Sequence, residues 1–377
     1  MKKKYDLIII GAGLSSLMFL NQYLKKTSEQ KILLLEQKDK INSDQTFCVW
    51  EGPGLPSISE NFQLKPKKIW NNIVLNSLND QIKRHVKPYS YVCFDGKETL
   101  ESLLSTCKEK IKVIKNEKVV QISCEKKAQI VTTENSVYYS NLIVDSRNNI
   151  KPHEIKSPVM QQAFVGDEIE LTDERFEPDD VTLMSFKKND NEIEFTYILP
   201  FSKKRALIET TVFTQSPRLG VIEEKHRKIL KVYEPYKKIR QEKAIIPMAV
   251  VLPDEELKIL KIGAGAGMIR GSSGYSMRRI ANWAIKLKPE QLNESNLPLF
   301  RYHSNGWLNW LDKIFLNVIF KYPDNGPYIF MMLFRRAKMP SLIRFLSDIV
   351  VVTDLINILL CMPKRLMLKG LIKKKNE

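Results

Sequence analysis

Residues 5–10 (YDLIII) form an apolar run broken only by Asp6, and KILLLE at 31–36 repeats the run. Such runs suit strands covered on both faces, and the helix-spaced apolar positions of 14–26 between them complete a βαβ unit. Beyond it the pattern predicts an irregular, Pro-bearing segment at 50–62 (WEGPGLPSISENF), strands at 69–76 and 89–95 and a helix at 97–110. Strands at 112–115, 118–124 and 127–133 follow, and NLIVDSRN at 141–148 closes the first half. Short alternating runs at 161–171, 181–187, 192–199 and 205–213 predict an antiparallel sheet, with a helix at 217–238 after it. From 300 onward a series of apolar helices is broken at Pro323, Pro327, Pro340 and Pro363 and ends in a basic tail.

One alternating run carries an acid. In RALIETTVF, 205–213, period-two geometry puts Leu207, Glu209, Thr211 and Phe213 on one face and Ala206, Ile208, Thr210 and Val212 on the other. Glu209 therefore keeps apolar company. Enclosure of that face would raise its pKa by desolvation and make it a proton donor near neutral pH. A solvated Glu on an open sheet face is the plain alternative.

Composition narrows the class. At 377 residues and 43% apolar content, the chain can bury a large core in one domain or two interlocked ones. A net charge of +17 favours an anionic partner, whether nucleic acid, phospholipid surface or charged ligand. No helix-turn-helix or zinc module is recognisable, which argues against nucleic acid. The five cysteines are scattered and lack a CxxC pair, so no metal site or disulfide framework is expected and a reducing cytosol fits. The apolar N-terminal run is short and Gly-broken, and 348–363 is interrupted by Thr353, Asp354 and Asn357; neither a signal peptide nor a membrane-spanning helix is expected.

Glycines mark a second kind of chemistry. IIIGAGLSS places Gly11, Ala12, Gly13, Leu14, Ser15 and Ser16 between the first strand and its helix, with Ser16 where a GxGxxG turn has its third glycine. Backbone amides there meet a pyrophosphate, and Glu36 ends the second strand close to the roughly 20-residue offset of a ribose-binding acid. IGAGAGMIRGSSGYSMRRIANWA at 262–284 also runs from an apolar strand through Gly263, Gly265 and Gly267 into a helix. Two such turns point to FAD rather than NAD.

Taken in order, YDLIIIGAGLSSLMF, DQTFCVWE (44–51), LIVDSR (142–147), QQAFVGDEIEL (161–171), FEPDDVTLMSF (176–186), FTYILPFSKKRALIETTVF (195–213), AIIPM (244–248) and GMIRGSSGYSMRRI (267–280) resemble the lycopene cyclases of bacteria and plants, FAD-binding proteins, over nearly the whole chain. The resemblance implies an α/β, Rossmann-like flavoprotein fold with an antiparallel-sheet substrate domain and a C-terminal helical region. It implies a discontinuous FAD-binding domain at 1–50, 90–150 and 245–290, a substrate sheet at 51–89 and 151–244, and membrane-facing helices at 291–377. Asp145, Gly274 and Tyr275 join the cofactor residues, and Glu209 becomes the catalytic acid. The implied reaction is non-redox closure of lycopene ends to β-ionone rings with reduced FAD, NAD(P)H being the reductant. Lycopene lies in the bilayer, which implies peripheral attachment to the anionic face of the cytoplasmic membrane. Trp307, Trp310, Phe330, Met331, Met332 and Phe334 would meet the acyl boundary, and Arg335, Arg336, Lys364 and Arg365 the headgroups. The chain departs from the family pattern at Gln45, Thr46 and Phe47, at Ser185, at Gly271, and at Thr210, which replaces a second acid beside Glu209. The alternative reading is an FAD-dependent oxidoreductase acting on an isoprenoid; oligomeric state, number of rings closed and ring type are not legible.

Overall fold

The computed structural model describes residues 4–27, 30–41, 43–78, 80–125, 129–254 and 258–371. At the centre of the first sheet, β1 (Lys4–Ile10) lies parallel to β2 (Ile32–Leu35) on one side and to β11 (Val137–Asp145) on the other. β8 (Ile111–Ile114) extends it beyond β2, β10 (Gln129–Thr133) and β9 (Val119–Cys124) form an antiparallel meander beyond β11, and β17 (Leu260–Lys261) also pairs with β11. Leu7 and Ile9 of β1 face α1 (Leu14–Tyr23), α3 (Gly96–Ser105) and α5 (Met277–Lys286), while Ile8 and Ile10 face the meander. Both faces of β1 are covered, which is why its sequence is apolar without alternation.

The second sheet runs in the order β16 (Tyr236–Met248), β12 (Met160–Leu171), β15 (Arg205–Thr214), β14 (Ile193–Pro200), β13 (Asp180–Lys187), β5 (Asn72–Ser77), β6 (Asp80–His85). Every pair is antiparallel except β5 with β13. One face carries α4 (Leu219–Leu230), whose Ile222 packs on Ala163, Val165 and Val212. The other face shares the largest core cluster with a small sheet of β3 (Thr46–Glu51), β7 (Ser90–Asp95) and β4 (Lys68–Trp70) and with the C-terminal helices. Those helices are α7 (Gly306–Lys321), α8 (Gly326–Arg336), α9 (Met339–Leu346), α10 (Val352–Cys361) and α11 (Lys364–Leu371); the short α2 (Ile58–Phe62) and α6 (Leu297–Phe300) complete the set.

Several elements differ from the sequence pattern. The segment at 50–62 is not wholly irregular: Ser57 caps α2 by accepting from the Glu60 N–H. The strand expected at 69–76 divides into β4 and β5, which belong to different sheets, and β6 has too many charges to read as a strand. The helix expected at 217–238 ends at Leu230, and from Tyr236 the chain becomes β16. Pro235 breaks the helical hydrogen-bond ladder, and the basic residues that follow alternate around a partly exposed edge strand. Residues 127 and 128 of one expected strand, and the basic tail from 372, lie outside the described residues.

Candidate active site

The two glycine turns fold onto one another. Gly11 sits at φ +87°, and a Cβ there would come within 2.5 Å of Ser146 Oγ, which donates to the Ile10 carbonyl at 2.7 Å. Gly263 sits at φ +68°, and its Cβ would come within 2.7 Å of Ser15 Oγ. Only glycine fits both this conformation and this approach. The Glu36 carboxylate accepts the Ala12 N–H at 2.7 Å and the Lys38 N–H at 2.9 Å, so it braces the first turn. Asp145 is bound by Arg147, whose Nη2 and Nε donate at 2.7 and 2.9 Å, and its carbonyl accepts the Ile262 N–H at 2.9 Å. That places the second turn directly over the first, with Gly265 packed on the Arg147 carbonyl and Gly267 (φ +73°) on that of Val251.

These residues fit a dinucleotide. Gly13 caps the N-terminus of α1 with open space where a Cβ would stand, and no acid occupies the helix's first turn. Buried Ser16 Oγ has no protein partner among the described residues. A phosphate bound at that helix start would meet amides and a hydroxyl that need an acceptor.

Glu209 lies apart from the two turns, on the face its parity predicts. Leu207 and Phe213 join the large core beside it, while Thr210 on the opposite face meets His226 of α4 at 3.0 Å. The carboxyl is buried and Thr211 donates to its Oε1; Glu242 lines the same cavity. Burial, and after it the Glu242 charge, push the Glu209 pKa well above the ordinary carboxylate range. Glu242 is a residue that the sequence reading missed. It is buried on β16, and its Oε2 accepts from Arg240 Nη1 at 2.7 Å and from Thr46 Oγ1 at 2.8 Å. Read as a strand, 236–248 would have put Arg240, Glu242, Ala244 and Ile246 on one face; this was the available signal.

Both acids line a cavity of about 530 Å³ together with Tyr275, Gly274, Cys48, Tyr91 and Tyr197. Tyr91 OH lies 3.0 Å from Tyr197 OH and 3.1 Å from Tyr275 OH, and burial pushes the Tyr275 phenol up to about 12. Gly274 (φ +71°) leaves no room for a Cβ beside Gln162 Oε1. The departures Gln45, Thr46 and Phe47 line the same cavity; Gly271 packs against the Ala249 backbone, and Ser185 pairs with Thr196 in the sheet. The lining continues past Phe195, Phe213, Phe315 and Phe330 to Leu359, Leu368 and Leu371 on the C-terminal helices.

The helices sort their apolar residues differently from expectation. Phe330, Met331 and Phe334 are buried, because α8 packs its aromatic side on the sheet. Trp307 is 68% exposed and Trp310 45%, and Val352, Ile356, Leu359, Leu360 and Leu368 are exposed as well; of these, Trp310, Leu359 and Leu368 line the cavity. Arg335 is held by Asp80 at 2.5 Å, while Arg336, Lys364 and Arg365 are exposed. Among the described residues no helix is long and apolar enough to cross a membrane, and no cluster of potential metal ligands occurs.

Comparison with known proteins agrees with this architecture. The chain is 23% identical over 302 residues to a chloroplastic neoxanthin synthase of Solanum lycopersicum, which covers 74% of the chain and 58% of that protein. It is 25% identical over 175 residues to a lycopene beta cyclase of Capsicum annuum, covering 41% of the chain and 35% of the relative. The chain thus spans little more than half the length of the first of these relatives. Among solved structures, a geranylgeranyl bacteriochlorophyll reductase-like protein of Thermoplasma acidophilum superposes with a TM-score of 0.60 at 10% identity, covering 100% of this chain and 97% of that one. A halogenase in complex with phloroglucinol and FAD gives 0.54 at 12% identity, over 88% and 77%. The fold is therefore the Rossmann-like fold of FAD-dependent flavoproteins. The family model described as lycopene cyclase protein matches residues 6–371, and the chain belongs to that family.

Proposed function

We propose that the protein closes the ends of lycopene into β-ionone rings by acid–base chemistry without net redox. The observation that carries the reading is a buried acid in an aromatic cavity: Glu209 is desolvated, holds its proton above the ordinary carboxylate range, and lines the same cavity as Phe195, Phe213, Phe315 and Phe330. Protonation of a terminal double bond transfers the Glu209 proton to carbon. The next double bond then attacks the tertiary cation, and loss of a ring proton restores neutrality. Aromatic faces steady the cation, and the dry walls prevent its capture by water.

FAD would fit the paired turns: Gly11 to Ser16 would hold the pyrophosphate, Glu36 the ribose, and Asp145 with Gly263, Gly265, Gly267, Gly274 and Tyr275 would border its flavin side. Reduced, with NAD(P)H as the reductant, it would supply an electron-rich surface for the cation. The exposed apolar residues that line the cavity, Trp310, Leu359 and Leu368, with Lys364 beside them, dock on an anionic bilayer on its cytoplasmic side, from which the polyene enters. Expression in lycopene-accumulating cells followed by pigment chromatography tests the reading. Cyclic carotenoids are expected; unchanged lycopene beside a folded, flavin-bearing protein would reject it, and stoichiometric NAD(P)H consumption would indicate an oxidoreductase instead.

A further inference from the structure

We infer that Glu242 is a positioning residue for Glu209, and that the two carboxyls hold a single proton between them across the side-chain gap at Gly166. On β12, Gly166 is the direct partner of Glu209 on β15 and of Glu242 on β16. Directly paired residues share a face, so the three positions form one row across the sheet. A Cβ at Gly166 would stand 3.2 Å from Glu209 Cβ and 3.3 Å from its Cγ. The missing side chain leaves the two outer acids on one face with no side chain between them, both at the wall of the same cavity.

The two carboxyls have different surroundings. Arg240 and Thr46 donate to Glu242, which makes Glu242 the acceptor. Arg240 is itself held by Glu168 at 2.7 Å, and Glu168 also takes Lys67 at 2.8 Å and Arg205 at 2.6 Å, so these cations are bound on the Glu242 side. Glu209 faces Thr211 on its own strand, Tyr197 on β14, Cys48 on β3 with Cys93 behind it on β7, and Tyr91 and Tyr275 across the cavity. A carboxyl buried beside a second acid keeps its proton to higher pH than an exposed one.

The inference rests on the cyclase reading only for the use of this proton. When the Glu209 O–H bond breaks and a C–H bond forms on the alkene, two carboxylates face the cation. Their repulsion favours return of one proton from the ring carbon to the pair. One C–H bond breaks and one O–H bond forms, so the pair ends each cycle as it began.

The test reads the proton directly. In flavin-loaded full-length protein with isotopically labelled glutamate, infrared spectroscopy follows the protonated-carboxyl band that Glu209→Gln removes. Glu242→Gln is expected to lower the pH at which this band disappears by roughly one unit or more, and to shift the alkaline limb of cyclisation equally. Gly166→Ala keeps both acids but wedges them apart, and is expected to shift both readouts in the same direction; it decides the matter if Glu242→Gln does not fold. An unmoved band in the folded variants, or a rate loss equal at every pH, would overturn the pairing. A shifted band in a protein whose wild type makes no cyclic product would sink the cyclase reading and leave the pair standing.

Discussion

Replacing Glu209 by Gln keeps the side chain's shape and removes its acidic proton. Loss of a general acid costs on the order of a hundredfold or more in rate, so cyclisation should fall at least that far while flavin absorbance is retained. The pH dependence of the wild type has a definite sign. On the proposed mechanism, with its pKa raised, Glu209 is competent below that pKa and activity should decline as pH rises through it; a rate that climbs across the same range would contradict the assignment. Gly263→Ala adds a Cβ at φ +68° against Ser15 Oγ. It should cost about 1–3 kcal/mol and lower flavin occupancy, both measurable by thermal melting with flavin fluorescence. At this scale the sequence was legible where periodicity was simple. The parity of 205–213 placed Glu209 correctly, whereas Glu242 was hidden among the lysines and arginines of an edge strand. Asp145 shows the other limit: the resemblance of LIVDSR marks it, but only the fold reveals that Arg147 occupies its carboxylate.

Among the elements, the C-terminal helices are fastened by buried charges rather than by apolar packing alone. Arg270, fully buried in the loop before α5, donates to Asp312 of α7 at 3.3 Å and to the Phe345 carbonyl of α9, and it lies 3.3 Å from Asp348. Arg270→Met would strand Asp312 without its counter-charge, a loss of about 3–5 kcal/mol, read as a lower midpoint in denaturant. Between α9 and α10, Arg344 grips Asp354 at 2.5 and 2.8 Å. Burial alone would push the Asp354 pKa up, but hydrogen bonds from Arg344, Ser341 and the Val351 N–H outweigh it and leave it lowered. A lowered folded pKa means this clamp contributes fully above the unfolded value and is lost as pH falls through the lower, folded one. Asp354→Asn should therefore expose α10 to limited proteolysis at neutral pH, where the wild type resists. The helices themselves were legible from their apolar runs and prolines. Which residues they bury was not, since the runs are apolar on several sides and the choice is made by contact with the sheet.

For the whole molecule, the net charge of +17 and the exposed apolar residues of the C-terminal helices make a joint prediction. Flotation with anionic vesicles should succeed at low salt and weaken as salt rises, because exposed charges are screened within about 10 Å at 0.1 M. Leu359→Asp combined with Leu368→Asp should reduce flotation without loss of flavin. Salt-independent binding by that variant would move the docking surface elsewhere.

The placement of α5 against α1 has a consequence for synthesis. The N-terminal βαβ unit is made well before α5, yet nearly every residue of α1 is buried, and part of its cover comes from residues 277–286. Gly263 likewise reaches Ser15 only after some 250 residues have intervened. Long-range closure of this kind is slow and leaves apolar surface open meanwhile. Nascent chains released before α5 should hold α1 uncovered and engage chaperones, and protease resistance of residues 4–35 should appear late in translation rather than with the first domain-sized length of chain.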